Sequence, residues 1–124
     1  MTSVDGVHRK LCHDLFDALE RGDIGAVDAC YAPGMTMWFN VTGGTSTREE
    51  NLQAVESGAG LHRRRNYNDR IINTFHDGFV AQYTCEVVAH NGQHVPLTAC
   101  LVAEVRDGKI NKLFEYLDAG KFRR

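Results

Sequence analysis

The chain has 124 residues and a mass of 13.9 kDa, the size of one domain, and its 43% hydrophobic and 24% charged residues exclude a disordered or collagenous chain. Fourteen basic against sixteen acidic residues give a net charge of −2, which argues against a nucleic-acid binder. No apolar run approaches the roughly 20 residues of a membrane span. The opening MTSVDGVHRK has no apolar signal-like region. Cys12, Cys30, Cys85 and Cys100 form no C-x-x-C pair and have no zinc-like spacing with histidine, so reduced, mostly buried thiols in a cytoplasm are expected, with no metal site.

In chain order, Val7, Leu11, Leu15 and Leu19 recur every four residues, with Phe16 and Ala18 widening the stripe, which predicts a first helix. Gly22 closes it and Asp23 is a natural N-cap for a second helix carrying Ile24, Val27 and Tyr31, ended by Pro33-Gly34. Met35 to Asn40 reads as a short strand and Val41 to Thr45 as a loop. Ser46-Thr47-Arg48-Glu49 reads as a capping box opening a third helix with Leu52 and Val55, ended near Ser57-Gly58.

The second half changes character. Asp77-Gly78, Asn91-Gly92 and Asp107-Gly108 are hairpin signals, because these residues tolerate positive φ. They cut the chain into strands near 66–76, 79–90, 95–106 and 109–118, a four-strand antiparallel meander. Helices followed by a long antiparallel sheet form an α+β order, and the helices are expected to cover the concave sheet face around a pocket.

Within this frame the chain resembles the nuclear transport factor 2-like superfamily, in its SnoaL-like and limonene-epoxide-hydrolase-like branch. The resemblance is carried by Leu15-Phe16-Asp17-Ala18-Leu19 with Gly22-Asp23, by Met37-Trp38-Phe39-Asn40, and by Asp107-Gly108-Lys109-Ile110 followed by Phe114-Glu115-Tyr116-Leu117-Asp118. It spans nearly the whole chain, residues 1–124 as one domain. It implies a cystatin-like α+β roll: a cone of curved antiparallel sheet closed by three helices around an apolar cavity. It further implies a cofactor-independent enzyme. Anchored on the Asp77-Gly78 and Asp107-Gly108 turns, the water-activating aspartate of limonene epoxide hydrolase falls on Glu115 and its acid aspartate on Glu86. Its arginine falls on Thr84, its tyrosine on Trp38 and its asparagine on Asn40. Thr84 supplies no cation and Trp38 accepts no hydrogen bond from water. The base of ketosteroid isomerase falls on Asn40, which takes no proton.

The resemblance thus implies Glu115 as base, Glu86 as acid and Asn40 as the orienting amide. Trp38, Tyr67, Asp69, Thr84, Leu113 and Leu117 would line the cavity. Strand alternation adds a condition: with Glu86 inward, Gln82, Thr84 and Val88 are inward too, and with Glu115 inward, so are Leu113 and Leu117. Phe114 and Tyr116 then face outward, on the side where this superfamily commonly packs a second subunit, so a homodimer is expected. Bland readings stand beside these. Glu86 and Glu115 can be outward glutamates, and Trp38 can be plain core. Asp69 can pair with Arg70 or with Arg63-Arg64-Arg65, which itself reads as a solvated run. His62, His76, His90 and His94 read as surface residues. Three functions follow: carboxylate acid/base chemistry on an apolar small molecule, as epoxide hydrolysis or SnoaL-like cyclisation; binding of a hydrophobic ligand by a dimer without turnover; and ketosteroid-isomerase-like double-bond migration. None of them calls for nucleic acid or a membrane.

Overall fold

The computed structural model describes residues 3–58, 64–88 and 91–118. Helix α1 (Val4–Arg21) is capped by Ser3, whose side chain accepts from the Gly6 N–H, and ends at Gly22 in the left-handed conformation, φ 67°. Its buried face is His8, Leu11, Cys12, Leu15, Phe16 and Ala18. The stripe is therefore rotated relative to the expected one, and Val7 stands at the exposed edge. Helix α2 (Ile24–Cys30) starts, as expected, on Asp23, which accepts from the Ala26 N–H at 3.1 Å.

That helix stops earlier than Pro33-Gly34. Proline disfavours helical backbone at the residue before it, and strand β1 (Tyr31–Phe39) begins directly after Cys30. The ladder of β1 loses register between Tyr31 and Thr36, the stretch that holds Pro33 and Gly34. A short strand β2 (Gly44–Thr47) folds back on β1 where a loop was expected. The capping box lies one residue further along than the sequence reading placed it. Thr47 caps helix α3 (Arg48–Ser57) by accepting from the Glu50 N–H at 3.1 Å, and Glu50 accepts from the Thr47 N–H at 2.9 Å.

The meander is β3 (Arg64–Phe75), β4 (Gly78–Val88), β5 (His94–Arg106) and β6 (Lys109–Leu117). The sheet order is β2-β1-β6-β5-β4-β3. All its pairings are antiparallel except β1 with β6, so the sheet is mixed. Asp107 and Gly108 both take positive φ, the signature of a type I′ turn. Gly78 serves a different purpose from the expected one. A Cβ there would sit 1.9 Å from the Ala103 carbonyl oxygen, so glycine is required by the close approach of β4 to β5.

Helix α1 lies across β3 and β4 on one sheet face, and α3 covers β1 and β2. The covered face carries Met35 and Met37 of β1, Tyr67 of β3, Phe79, Ala81, Tyr83, Cys85 and Val87 of β4, Leu97, Ala99, Leu101 and Ala103 of β5, and Ile110, Leu113 and Leu117 of β6, all buried. The result is the expected α+β cone, three helices on a six-stranded open sheet among the described residues. Among the described residues no helix is long and apolar enough to cross a membrane.

Candidate functional site

Among the described residues the interior of the cone is largely apolar and holds one buried carboxyl group. Glu115, in the middle of β6, has 0% of its surface exposed. Past Ile110 the β6 ladder slips by one residue, and alternation beyond that bulge puts Leu113, Glu115 and Leu117 on the covered face, as expected. A carboxyl group in such surroundings is costly unless hydrogen-bonded. The phenol of Tyr83, on β4, donates to Oε2 of Glu115.

Around this pair the aromatic rings are close-packed. Phe16 of α1 stacks on Tyr67 at 4.7 Å between centroids with 10° between planes, and meets Tyr83 at 4.7 Å in a tilted contact. The Arg70 guanidinium lies 5.1 Å from the centre of the Phe16 ring. It is fastened by Asp17 at 3.0 Å, by Glu20 at 3.5 Å and by the Tyr67 carbonyl at 2.8 Å. Asn51 of α3 is buried, accepts from the Tyr31 phenol at 2.8 Å and donates to the Met37 thioether at 3.0 Å. Leu15, Leu19, Val55, Leu101 and Leu113 complete the wall. What is left empty is a void of about 20 Å³, measured as room for the centre of a water molecule. That is space for about one water. The larger hollow, about 690 Å³, lies elsewhere, beside Phe75, Val102, Val105 and Phe114.

Several expected site residues are not brought here. On β4 the covered set is Phe79, Ala81, Tyr83, Cys85 and Val87, so Gln82, Thr84, Glu86 and Val88 face outward, the reverse of the expected parity. The odd positions are uniformly apolar or aromatic while positions 82, 84 and 86 are polar, and burial follows the apolar face. Glu86 pairs outside with Nδ1 of His94. Thr84 sits between Asn68 and Thr98 on the same outer side. Trp38 also points outward, since Met35 and Met37 take the inner positions of β1, and it packs on Tyr116 with 5.2 Å between ring centroids. Asn40 uses its amide on backbone: Nδ2 donates to the Leu117 carbonyl at 3.1 Å and Oδ1 accepts from the Leu117 N–H at 2.8 Å. It extends the β1–β6 pairing.

Tyr67 and Asp69 do not share a face. Between Asn68 and Ile71 β3 carries one residue more than β4, a bulge in which Asp69 takes φ 55° and stands exposed. Tyr67 lines the void, and Arg70 pairs with Asp17 and Glu20 in place of Asp69. His76 is a surface residue. His62, His90 and Arg63 lie outside the described residues, as do the side chains of Arg64 and Arg65.

Sequence reasoning missed Tyr83, Tyr31 and Asn51. The apolar face of β4 was the available signal for Tyr83. Asn51 stands four residues before Val55, on the same helix face. His8 was missed too; its buried Nδ1 donates to the carbonyls of Gly78 at 3.0 Å and Phe75 at 3.2 Å, fastening α1 to the β3–β4 hairpin. Burial pushes the Cys12 thiol up to about 12, and raises Cys30 and Cys100 as well, which makes poor nucleophiles of them. Among the described residues no group of three or more His, Cys, Asp or Glu is placed to hold a metal ion.

With this geometry in view, the SnoaL-like domain family model matches residues 12–113. Among solved structures the chain is similar to a candidate polyketide cyclase of Xanthomonas campestris pv. campestris, 23% identical, with 92% of each chain covered and a TM-score of 0.77. It is similar to a candidate isomerase of Bacillus subtilis, 12% identical, covering 94% of this chain and 93% of that one, TM-score 0.76. A nuclear transport factor 2-like protein of unknown function from Cytophaga hutchinsonii is 16% identical over 100% of both chains, TM-score 0.76. At these identities the likeness is one of fold, the nuclear transport factor 2-like cone. Among curated proteins none matches the chain in sequence.

Proposed function

The chain belongs to the SnoaL-like domain family, and on that premise we propose that its cone interior takes up a small, largely apolar carbonyl compound on which Glu115 acts as the base. The carboxylate removes a proton from carbon next to the carbonyl, the electron pair moves onto the carbonyl oxygen, and the same carboxyl group returns the proton at another atom. In a β,γ-unsaturated ketone that sequence moves the double bond. Where the molecule carries a second carbonyl, the enolate carbon attacks it instead, the new C–C bond closes the ring, the C=O π pair moves onto oxygen and the carboxyl group gives its proton to that oxygen, with no cofactor in either case. Tyr83, donating to Oε2, fixes the carboxylate in one orientation. The observation that carries the reading is a fully buried glutamate lining a largely apolar void. The descriptions of two structural relatives as a candidate cyclase and a candidate isomerase fit this class of chemistry.

Paired-acid epoxide hydrolysis draws less support. Its second carboxylate, Glu86, lies on the outer face, and the amide of Asn40 is bound to backbone. A ligand-holding role without turnover is the second reading, favoured because Thr84, Trp38 and Glu86 all face outward and, among the described residues, Glu115 has no second carboxylate beside it in the void. Under either reading we propose that two copies associate through the outer sheet face.

The test is deuterium uptake from D₂O at the α-carbons of cyclohexanone and of a 3-keto steroid, followed by NMR beside an epoxide hydrolysis assay. Wild type is expected to exchange α-protons. Glu115→Gln, similar in size but unable to take a proton, should slow exchange by about 10²–10⁴-fold. A wild type that binds these ketones and exchanges nothing gives the non-catalytic reading the win. Full activity in Glu115→Gln would mean that the base is another residue.

A further inference from the structure

We infer that Asn51 is the specificity-determining residue of this cavity, and that its side-chain amide recognises an oxygen acceptor, a carbonyl above all, on the bound molecule. The inference rests on the reading of the cone interior as a ligand site.

Asn51 is 5% exposed and lines the same void as Glu115, but it comes from helix α3 and not from the sheet. Its two ends are satisfied unequally. Oδ1 accepts from the phenol of Tyr31 at 2.8 Å, a good hydrogen bond that fixes the plane of the amide. Nδ2 donates at 3.0 Å to the thioether of Met37, and among the described residues that sulfur is its one acceptor. A thioether is a weak acceptor, whereas an amide N–H is a full-strength donor. A buried donor without a good acceptor is held at a disadvantage.

A ligand that brings a carbonyl oxygen to Nδ2 replaces the sulfur with a strong acceptor. Met37, unbranched and flexible, can turn aside to admit it. A hydrocarbon of the same shape leaves the N–H with no better partner, so the site discriminates between the two. The placement suits the chemistry proposed for Glu115, because base and amide then act on the same carbonyl compound from two layers of the fold. A purely structural role predicts something else. If Asn51 only clasps α3 to β1 through Tyr31, its replacement lowers stability but weakens all ligands alike.

The experiment compares cyclohexanone with methylenecyclohexane, which keeps the shape and lacks the oxygen. Both are titrated into the full chain by NMR, with wild type, Asn51→Leu and Met37→Leu. Near-UV circular dichroism checks that each variant is folded. Wild type is expected to prefer the ketone, and the Asn51 side-chain amide signal, assigned by its loss in Asn51→Leu, should move with the ketone and stay with the alkene. Asn51→Leu should cut the ketone-to-alkene preference about tenfold, the worth of one hydrogen bond. Met37→Leu conserves volume, removes the competing sulfur and should tighten ketone binding alone, which keeps the test decisive if Asn51→Leu does not fold. An unchanged preference in both variants, or an Asn51 amide signal indifferent to the ketone, overturns the inference while leaving the cavity a ligand site. If neither probe shifts the methyl signals of Leu113 and Leu117, the ligand-site reading falls and the inference falls with it.

Discussion

A glutamate with no exposed surface is uncommon in a chain of this size, because burial must be offset by hydrogen bonds. Glu115 meets that requirement through Tyr83. The cysteines show the opposite outcome of burial. Apolar surroundings raise the Cys12 thiol to about 12, and Cys12, Cys30 and Cys85 are buried while Cys100 is half-buried on the outer face. Thiolate is the reactive form. Brief iodoacetamide treatment at pH 8 of the folded chain carrying Tyr116→Lys, which keeps a second copy off the outer face beside Cys100, read by peptide mass spectrometry, should therefore label Cys100 first. Equal labelling of Cys12 would show that the α1 interface opens readily. The facing of Glu115 came from the resemblance and not from the Asp107-Gly108 turn, because the β6 ladder slips by one residue between Ile110 and Lys112 and alternation counted from Ile110 would put Glu115 on the outer face. Glu86 was misplaced because its facing came from the resemblance. The apolar run Phe79, Ala81, Tyr83, Cys85, Val87 points the other way, and burial follows it. Asn51 shares a helix face with Val55, but its role depends on Tyr31 and Met37 arriving from β1, which no local pattern shows.

At the scale of elements, the Asp107-Gly108 turn and the Gly22 and Asp23 caps are local features and were readable as such, whereas the cap of α3 lies one residue beyond its expected place. The third helix shows how local chemistry holds an element over the site. The Glu50 carboxyl is kept below the usual glutamate range by the Thr47 backbone N–H first and by the Thr47 hydroxyl second. A carboxylate depressed in the folded state stabilises it above the unfolded pKa, and the contribution is lost as pH falls through the folded one. Helix α3 should therefore loosen on acidification below about pH 4, the ordinary glutamate range. Amide hydrogen exchange across Arg48–Ser57 should speed up there relative to β5. Thr47→Ala should lower stability by about 0.5–2 kcal/mol and weaken that pH dependence. Exchange in α3 that tracks β5 at every pH would contradict the argument. Two features were not legible locally. β2 pairs with the edge of β1, and the Asp69 bulge lies beside Arg70, which is tied to Asp17 and Glu20 of α1, so both depend on contacts distant in sequence.

At the scale of the whole molecule, the two faces of one sheet divide the tasks. The inner face is nearly filled, and the outer face carries aromatic surface that nothing in the chain covers among the described residues. Trp38 and Tyr116 pack together there, Tyr116 is 43% exposed, and Phe114 borders the hollow with Phe75, which is 45% exposed. Contiguous aromatic surface of this kind marks an association site more often than a solvated one. The expected partner is a second copy related by a two-fold axis, with the same patch on both sides. A stable interface needs roughly 800 Å² from each partner, an area that a six-stranded sheet face can supply. Light scattering at micromolar concentration should give twice the chain mass of 13.9 kDa. Tyr116→Lys places a charge in the aromatic patch of each copy and should yield monomers. Glu115 and Tyr83 face the opposite side of the sheet, so ketone binding by the monomeric variant should persist. A wild type that stays monomeric at high micromolar concentration would sink the dimer. Loss of ketone binding on dissociation would mean that the partner subunit helps to close the cone.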